Sequence, residues 1–340
     1  MNTDSMIIEI WKELAEAHVS GILKRALDIV SNLKMFCTYN SPEGVCGIAF
    51  SFDHNIRLDI SPFSNLSEIE VSLFKDNSFP NSKFLLIQLV NKDSRAREIF
   101  AAICVNIAHT IQIVPSEKEA VKLVVSQMRK WQNMFSKKMV TLLSVQEQQG
   151  LFGELSFLKK LIDSPLDKTS VIESWVGPNM APQDFQGKSW AVEVKTTTVN
   201  KFPIVSINGE LQLDETYLGN LFLYNLLVDI VPVDGKNLPE LINDLRNSLI
   251  QNEKASYLLE NKLLYYGYFS LDEESYQERR YHIRKENFYL VKGEFPRIKK
   301  DDLLLGVSDV KYKISLAVPT ENIVEERNVI NTILSYEGNQ

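Results

Sequence analysis

The alternation of apolar and polar residues predicts that strands and helices are interspersed along the chain. Period-two alternation predicts early strands at residues 45–52, 56–60, 69–74 and 84–90. Apolar residues three and four positions apart predict helices at residues 7–18, 95–109 and 117–138. These elements predict an N-terminal α/β module, residues 1–140, that ends in a long linking helix, with the boundary near Val140.

The same two periods continue through the second predicted domain, residues 141–340. They predict a helix at residues 144–163 and one or two helices at residues 238–265. They also predict strands at residues 190–197, 202–207 and 221–231, and strand-like patterning at residues 281–318. A sheet covered by helices follows, so the predicted fold class is α/β.

The predicted strand at residues 190–197 carries the most informative chemistry of the chain. Its apolar side chains alternate with Glu193 and Lys195, which therefore share one face of the strand. The polar segment before it, residues 186–189, predicts a tight turn. This turn forms a hairpin that returns Asp184 alongside Glu193.

Two carboxylates and an ammonium group in this arrangement are typical of metal-dependent phosphodiester hydrolysis. Mg²⁺ prefers carboxylate oxygens and water, so Asp184 and Glu193 are predicted to hold Mg²⁺, with Mn²⁺ as the alternative ion. Lys195 is predicted to orient the attacking water or to offset charge that develops on the phosphate. A cross-strand ion pair without a metal is the alternative interpretation of the same residues.

Other acidic-x-Lys triplets occur at Asp234-Gly235-Lys236, Glu260-Asn261-Lys262 and Asp309-Val310-Lys311. The first has the composition of a turn, and the second lies in a helical pattern, where residues two apart diverge. The third is the strongest rival, because residues 310–316 alternate like a half-buried strand. The Glu193 triplet differs from all three in following a helix that carries a well-placed glutamate.

That glutamate is Glu154, at the edge of the apolar stripe of the helix predicted at residues 144–163. We predict Glu154 to be a third metal ligand or a water ligand. Glu147 lies seven residues earlier on nearly the same face and competes for this role. Its spacing from Ser144, however, is that of a capping box, which gives Glu147 a structural role at the start of the helix.

Several segments together resemble the bacterial PD-(D/E)XK motif protein family, whose uncharacterised members lie within the restriction-endonuclease-like superfamily. The resemblance is carried by Gly150-Leu151-Phe152-Gly153-Glu154-Leu155, Trp175-Val176-Gly177-Pro178, Asp184-Phe185 and Glu193-Val194-Lys195-Thr196-Thr197. It continues through Gln212-Leu213, Tyr265-Tyr266-Gly267-Tyr268, Tyr289-Leu290-Val291 and Phe295-Pro296-Arg297-Ile298. It covers most of the chain after about Trp131 and is weaker before it. It implies a restriction-endonuclease-like core, with a central mixed sheet flanked by helices, and a place in bacterial restriction or phage defence.

The net charge of −7 argues against a strongly basic, sequence-independent DNA-binding protein. Residues 276–300 nevertheless carry a local charge of +5, and Arg279, Arg280, Arg284 and Lys285 are the predicted phosphate contacts. Aromatic residues interleave with these cations, and they either stack on bases or fill a core. They are Tyr276, Tyr281, Phe288, Tyr289 and Phe295.

Composition and missing motifs exclude several other classes. No apolar run approaches the length of a membrane span, and the first residues lack the pattern of a signal peptide, so we expect a cytoplasmic protein. Cys37, Cys46 and Cys104 form no zinc pattern and are expected to be buried thiols. The sequence also lacks paired histidines, a Gly-x-Ser-x-Gly elbow and a Walker-type loop.

The sequence therefore favours an Mg²⁺-dependent endonuclease that acts on DNA. Methyltransferase or ATPase subunits of a defence system are the expected partners, no membrane is expected, and a homodimer is expected where both strands of a duplex are cut. The alternative is a catalytically silent subunit that keeps the nuclease fold and works by binding DNA or partner proteins.

Overall fold

A computed structural model of the chain describes residues 3–112, 114–137, 141–179, 181–198, 204–317 and 320–337. The chain divides into two compact units, Met1–Leu142 and Leu143–Gln340. The boundary that the sequence predicts at Val140 lies outside the described residues. None of the helices in the described ranges combines the length and the hydropathy that crossing a lipid bilayer requires.

The first unit contains an antiparallel sheet of five strands in the order β1-β2-β3-β5-β4, with helices before and after it in sequence. Its elements are α1 (Thr3–Glu16), β1 (Gly21–Ala26), β2 (Lys34–Ser41), β3 (Val45–Asp53), β4 (Ile69–Phe74), β5 (Ser82–Leu89), α2 (Ser94–Gln112) and α3 (Glu117–Lys137). Strand β3 is buried along most of its length, because apolar residues occupy both of its faces. Trp11 of α1 closes over it and donates its indole N–H to the Gly47 carbonyl oxygen at 3.0 Å.

Most elements predicted for this unit are confirmed, but residues 56–60 form a loop and the strand predicted there is wrong. Local hydrogen bonds explain the error. The Asp53 carboxylate accepts from the Asn55 backbone N–H, and the Asp59 carboxylate accepts from that of Ser61, so both ends of the segment turn. Strands β1 and β2 were not predicted. The three cysteines are buried, as predicted.

Lys24 on β1 carries a contact whose effect on stability can be measured. Its ammonium lies 4.6 Å from the ring centroid of Phe79 and 4.7 Å from that of Phe84. We expect Lys24→Met to lower the unfolding free energy of the first unit by about 1 kcal/mol through loss of these ring contacts and of its ion pair with Asp76. Hydrogen exchange of peptides from β2 and β5 across a denaturant series measures it. The exposed Lys34→Met on β2 is the control, and equal midpoints in both variants would contradict the prediction.

The second unit joins helices to a mixed sheet. Its elements are α4 (Val145–Asp163), α5 (Lys168–Ser174), β6 (Phe185–Gln186), β7 (Trp190–Thr198), β8 (Ile204–Ile207), β9 (Asn220–Val231), β10 (Lys236–Asn237), α6 (Leu238–Leu249), α7 (Glu253–Tyr266), β11 (Arg280–Leu290), β12 (Tyr312–Ser315), β13 (Ile323–Val324) and α8 (Glu326–Glu337). The sheet has the order β10-β11-β9-β7-β6, and β13 pairs with β11. Strands β7 and β9 run parallel and the other pairs are antiparallel, so the α/β fold class is confirmed.

Strand β7 is buried on both faces, because each face packs against a different apolar cluster. Val192 and Val194 join the larger core, which includes Leu151 and Leu155 of α4. Ala191 on the opposite face joins a smaller core with residues of β8, β9 and β12. Glu193 and Lys195 therefore lie on a face that is largely removed from water.

The predicted elements of this unit are confirmed in part. Helix α4 begins with the predicted capping box, and the residues predicted as one or two helices form α6 and α7. Only part of the 202–207 strand is described, as β8, because residues 199–203 lie outside the described residues, as does Val318 at the end of the last predicted region. Within that region, most of residues 291–311 are loop, so the predicted strand patterning is wrong there.

Candidate active site

Helix α4 carries Glu154 into the interior, and its sequence explains how. The Ser144 side chain accepts from the Glu147 backbone N–H at 3.2 Å, and the Glu147 carboxylate accepts from the Ser144 N–H at 2.8 Å. This capping box fixes the first turn, so Glu147 has the structural role that the sequence predicts. Glu154 is 8% exposed, and its Oε2 accepts from the Trp175 indole N–H at 2.7 Å.

The predicted hairpin brings Asp184 to Glu193. Strands β6 and β7 pair with Phe185 opposite Val192, so continuation of this register places Asp184 opposite Glu193. The turn is closed by the Gly187 N–H, which donates to the Trp190 carbonyl oxygen at 2.9 Å. Asp184 Oδ2 then accepts from the Val194 backbone N–H at 2.7 Å, which fixes the carboxylate beside β7.

Glu193 and Lys195 form a buried ion pair on β7. Lys195 Nζ lies 2.7 Å from Glu193 Oε1, and the two side chains are 14% and 1% exposed. The ammonium also donates to Gln212 Oε1 at 3.1 Å, and this oxygen accepts from the Asn208 backbone N–H. Glu193 Oε2 is buried without a hydrogen-bond partner in the described part of the chain. A buried carboxylate oxygen in this state is open to a ligand.

The three carboxyl groups and the ammonium influence each other strongly. Burial raises the pKa of Glu193 to about 8, with the Asp184 charge adding to the rise and Lys195 opposing it. Burial also raises the pKa of Asp184 to about 6, against the lowering effects of the Val194 N–H and Lys195. The pKa of Glu154 lies well above its usual value because of burial and the Asp184 charge. Ionisation of all three carboxyl groups would exceed the single positive charge of Lys195, so a bound divalent cation would favour their deprotonated forms.

This chemistry fits a hard divalent cation, although the direct ligand set is smaller than predicted. Among the described residues, no three His, Cys, Asp or Glu side chains converge closely enough to hold a metal ion together. Asp184 is held beside Glu193 by its hydrogen bond with the Val194 N–H, whereas Glu154 Oε2 already accepts from the Trp175 indole. Asp184 and Glu193 would therefore hold the ion, with Glu154 beside them, because carboxylate oxygens suit Mg²⁺ or Mn²⁺.

Comparison with known protein families gives a match over most of the chain. The family described as "Putative PD-(D/E)XK family member, (DUF4420)" matches residues 7–317 of the chain. The chain belongs to this family. No curated protein and no solved structure matches the chain. The mixed α/β architecture of the second unit is consistent with a PD-(D/E)XK-like fold, and the match to DUF4420 extends the resemblance through the first unit.

The other triplets of this DUF4420 protein lack comparable surroundings. Asp234-Gly235-Lys236 lies at a turn in which Gly235 has a φ of 83°. Glu260 pairs with Arg246, while Lys262 on the same helix donates to backbone carbonyl oxygens. Asp309 has a φ of 57° and lies in an exposed loop before β12, so the predicted strand begins too late to include the triplet. The Glu193 triplet alone among the four joins a buried ion pair to a second carboxylate.

Some cations of the basic segment, residues 276–300, form ion pairs within the protein, and others are exposed to solvent. Arg280 donates to both Glu240 carboxylate oxygens, at 2.9 and 2.7 Å, so a phosphate would have to compete for it. Arg284 lies 3.4 Å from Asp229, Lys285 is exposed and Arg279 is half-buried. The interleaved aromatic side chains fill the core, which contradicts base stacking; they are Tyr276, Tyr281, Phe288, Tyr289 and Phe295.

Two residues of the site were missed as functional candidates. Trp175 contacts Glu154, and Gln212 contacts Lys195. Both belong to segments that carry the family resemblance, which was the available signal. Nothing in the local periodicity marks them, because both contacts join residues far apart in sequence.

Proposed function

We propose that this protein is a metal-dependent endonuclease that hydrolyses phosphodiester bonds in DNA. The observation that carries the proposal is a constellation at β7. Asp184 Oδ2 accepts from the Val194 N–H, Lys195 Nζ lies 2.7 Å from Glu193 Oε1, and Glu193 Oε2 has no hydrogen-bond partner within the described residues. Membership of a PD-(D/E)XK family supports the same reaction class. We assign the mixed sheet of the second unit to a restriction-endonuclease-like core on this basis.

Each residue has a distinct role in the proposed reaction. Asp184 and Glu193 would hold Mg²⁺ or Mn²⁺, which polarises a phosphoryl oxygen and lowers the pKa of a bound water. Glu154 would orient a water molecule beside them, and because its pKa is raised it would add negative charge only once a bound cation favours its ionisation. Lys195, held by Glu193 and Gln212, positions the attacking water and offsets negative charge that develops on the phosphate.

The exposed cations extend the proposal to the substrate. Lys285 and Arg284 lie on β11, in the same sheet as β7, and would contact phosphates beside the cleaved bond. Arg279 would assist, whereas Arg280 is held by Glu240. We place the protein in a cytoplasmic restriction or phage-defence system, with methyltransferase or ATPase subunits as partners and a homodimer where both strands are cut.

A nicking assay tests the activity. Supercoiled plasmid or phage DNA is incubated with the purified protein in Mg²⁺, in Mn²⁺ and in EDTA, beside Asp184→Asn. We expect nicking by the wild type in either metal, none in EDTA, and at least about a 100-fold loss in Asp184→Asn, because a metal-binding carboxylate is neutralised. Equal nicking by both proteins, or nicking that persists in EDTA, would contradict the proposed metal-dependent activity.

A second candidate function is a catalytically silent subunit that binds DNA or partner proteins. The closed Glu193–Lys195 ion pair and the lack of a three-ligand cluster among the described residues favour it. Absence of Mn²⁺ binding, together with co-purification of a methyltransferase or ATPase, would support this alternative over the nuclease.

A further inference from the structure

Lys262 on α7 is a buried cation that the proposed reaction does not use. Its residue is 8% exposed, and its ammonium donates to the carbonyl oxygens of Glu173, at 3.2 Å, and of Trp175. These carbonyl groups lie at the C-terminal end of α5, where a positive charge is favourable. A buried ammonium group is costly unless it is hydrogen-bonded, so these contacts fix the side chain and the carbonyl groups together.

The segment that Lys262 holds, Trp175 to Gly177, contacts two of the site carboxylate residues. The Trp175 indole donates to Glu154 Oε2 at 2.7 Å. The backbone N–H groups of Val176 and Gly177 both donate to the Asp184 carbonyl oxygen, at 2.8 and 2.9 Å. One short segment therefore orients a carboxylate on α4 and the residue that precedes β6.

The space at Gly177 shows how closely this segment approaches both carboxylates. A Cβ atom added there would lie 2.6 Å from Glu154 Oε2 and 3.2 Å from Asp184 Oδ1. The first distance is too short for any side chain, so only glycine fits without a shift. Displacement of the segment by a few tenths of an ångström would consequently move the two carboxylates or clash with them.

We propose that Lys262 is a positioning residue, which holds Trp175 to Gly177 so that Glu154 and Asp184 face the metal site. The inference rests on the proposed function for its metal, but its geometry concerns residues of this chain alone. Lys262 donates to the Glu173 and Trp175 carbonyl oxygens, so it acts on the two carboxylates through the segment that it holds. Lys254 on the same helix provides a matched control, because it pairs with the Glu173 carboxylate at 3.4 Å and is 69% exposed.

The first test uses the metal-free full-length protein. The chain has four tryptophans, and Trp175→Phe identifies the indole N–H signal of Trp175 in a spectrum of ¹⁵N-labelled tryptophan. We expect Lys262→Met and Glu154→Gln to shift this signal, because both alter the hydrogen bond between the indole and Glu154. Lys254→Met should leave it in place. An unmoved Trp175 signal in Lys262→Met overturns the positioning role, whatever the protein does with metal.

The second test measures the affinity for Mn²⁺ from the electron paramagnetic resonance of the free ion. We expect Lys262→Met and Trp175→Phe each to weaken Mn²⁺ binding by about 10-fold or more, as loss of an orienting partner does at metal sites. The double variant should bind no more weakly than Trp175→Phe, because both changes remove the same contact. Unchanged affinity in Lys262→Met, or full additivity in the double variant, overturns the positioning role. If the wild type binds no Mn²⁺, the proposed function is overturned instead. The Trp175 indole signal of the first test then decides by itself whether Lys262 is a positioning residue.

Discussion

Lys195→Met is expected to lower the rate of DNA cleavage by about 100- to 1,000-fold while tightening the binding of Mn²⁺. The rate falls because the ammonium group that we assign to the phosphate is lost. The affinity rises because Lys195 Nζ, at 2.7 Å from Glu193 Oε1, competes with a divalent cation for this carboxylate. Opposite changes in the two quantities would separate a role in the reaction from a role in metal binding.

The measurement combines single-turnover cleavage at saturating Mn²⁺ with titration of the free ion. Lys188→Met, an exposed lysine in the hairpin turn, is the control and should alter neither quantity. Loss of a partner also leaves Glu193 buried and unpaired, so the thermal transition of each variant is recorded with and without Mn²⁺. A variant in which cleavage and Mn²⁺ affinity fall together, with a lowered transition in both conditions, would contradict the proposed role of Lys195.

Glu193→Gln is expected to stabilise the metal-free protein at pH 8 and to have little effect on its stability near pH 4. Burial raises the pKa of Glu193 from 4.5 to about 8, so the folded state holds a proton that the unfolded chain releases. The stabilisation from this proton is complete below about pH 4.5 and is lost as the pH rises towards 8. The slope is at most about 1.4 kcal/mol per pH unit for one proton, and glutamine removes it.

Thermal unfolding between pH 4 and pH 9, with EDTA and with Mg²⁺, measures this dependence. Mg²⁺ should raise the Tm of the wild type more at pH 8 than at pH 5, because binding favours the ionised carboxylate, and this gain should be absent in Glu193→Gln. Glu278→Gln, at an exposed position, is the control. Parallel Tm profiles for the wild type and Glu193→Gln would show that Glu193 is ionised in the folded protein throughout this range.

The site was predictable from sequence where its geometry is local. Alternation places Glu193 and Lys195 on one face of β7, and the turn at residues 186–189 returns Asp184 to them, because register in a hairpin follows from the turn. The preference for Glu154 over Glu147 likewise followed from capping-box spacing on a single helix. The roles of these residues remain predictions.

The features of the site that the sequence did not predict depend on contacts between segments far apart in the chain. Trp175 and Glu154 lie on different helical segments, and Gln212 reaches Lys195 from a loop beyond β8, so no local period indicates either contact. In the first unit, Asp53 and Asp59 made turns at both ends of residues 56–60, and these local bonds outweighed the strand-like alternation. For the aromatic residues of the +5 segment, base stacking and core filling both stayed open, because composition does not show that Tyr281 and Phe288 point inward.

The hydrogen bond between Asp184 and the Val194 N–H has a consequence for solubility. Among the described residues, β6 pairs with only Ala191 and Val192 of β7. The rest of this edge of β7 has no strand beside it in the described ranges, and such edges recruit strands from other molecules. Asp184 occupies the Val194 N–H at 2.7 Å, and Gln149 donates to the Thr196 carbonyl oxygen at 2.7 Å, so side chains cover this edge. Asp184→Ala would leave the Val194 N–H on this edge without its acceptor and should increase aggregation. Asp184→Asn keeps an oxygen that can accept the hydrogen bond. We therefore expect the carboxylate that we assign to catalysis also to hinder the pairing of β7 with strands of neighbouring molecules.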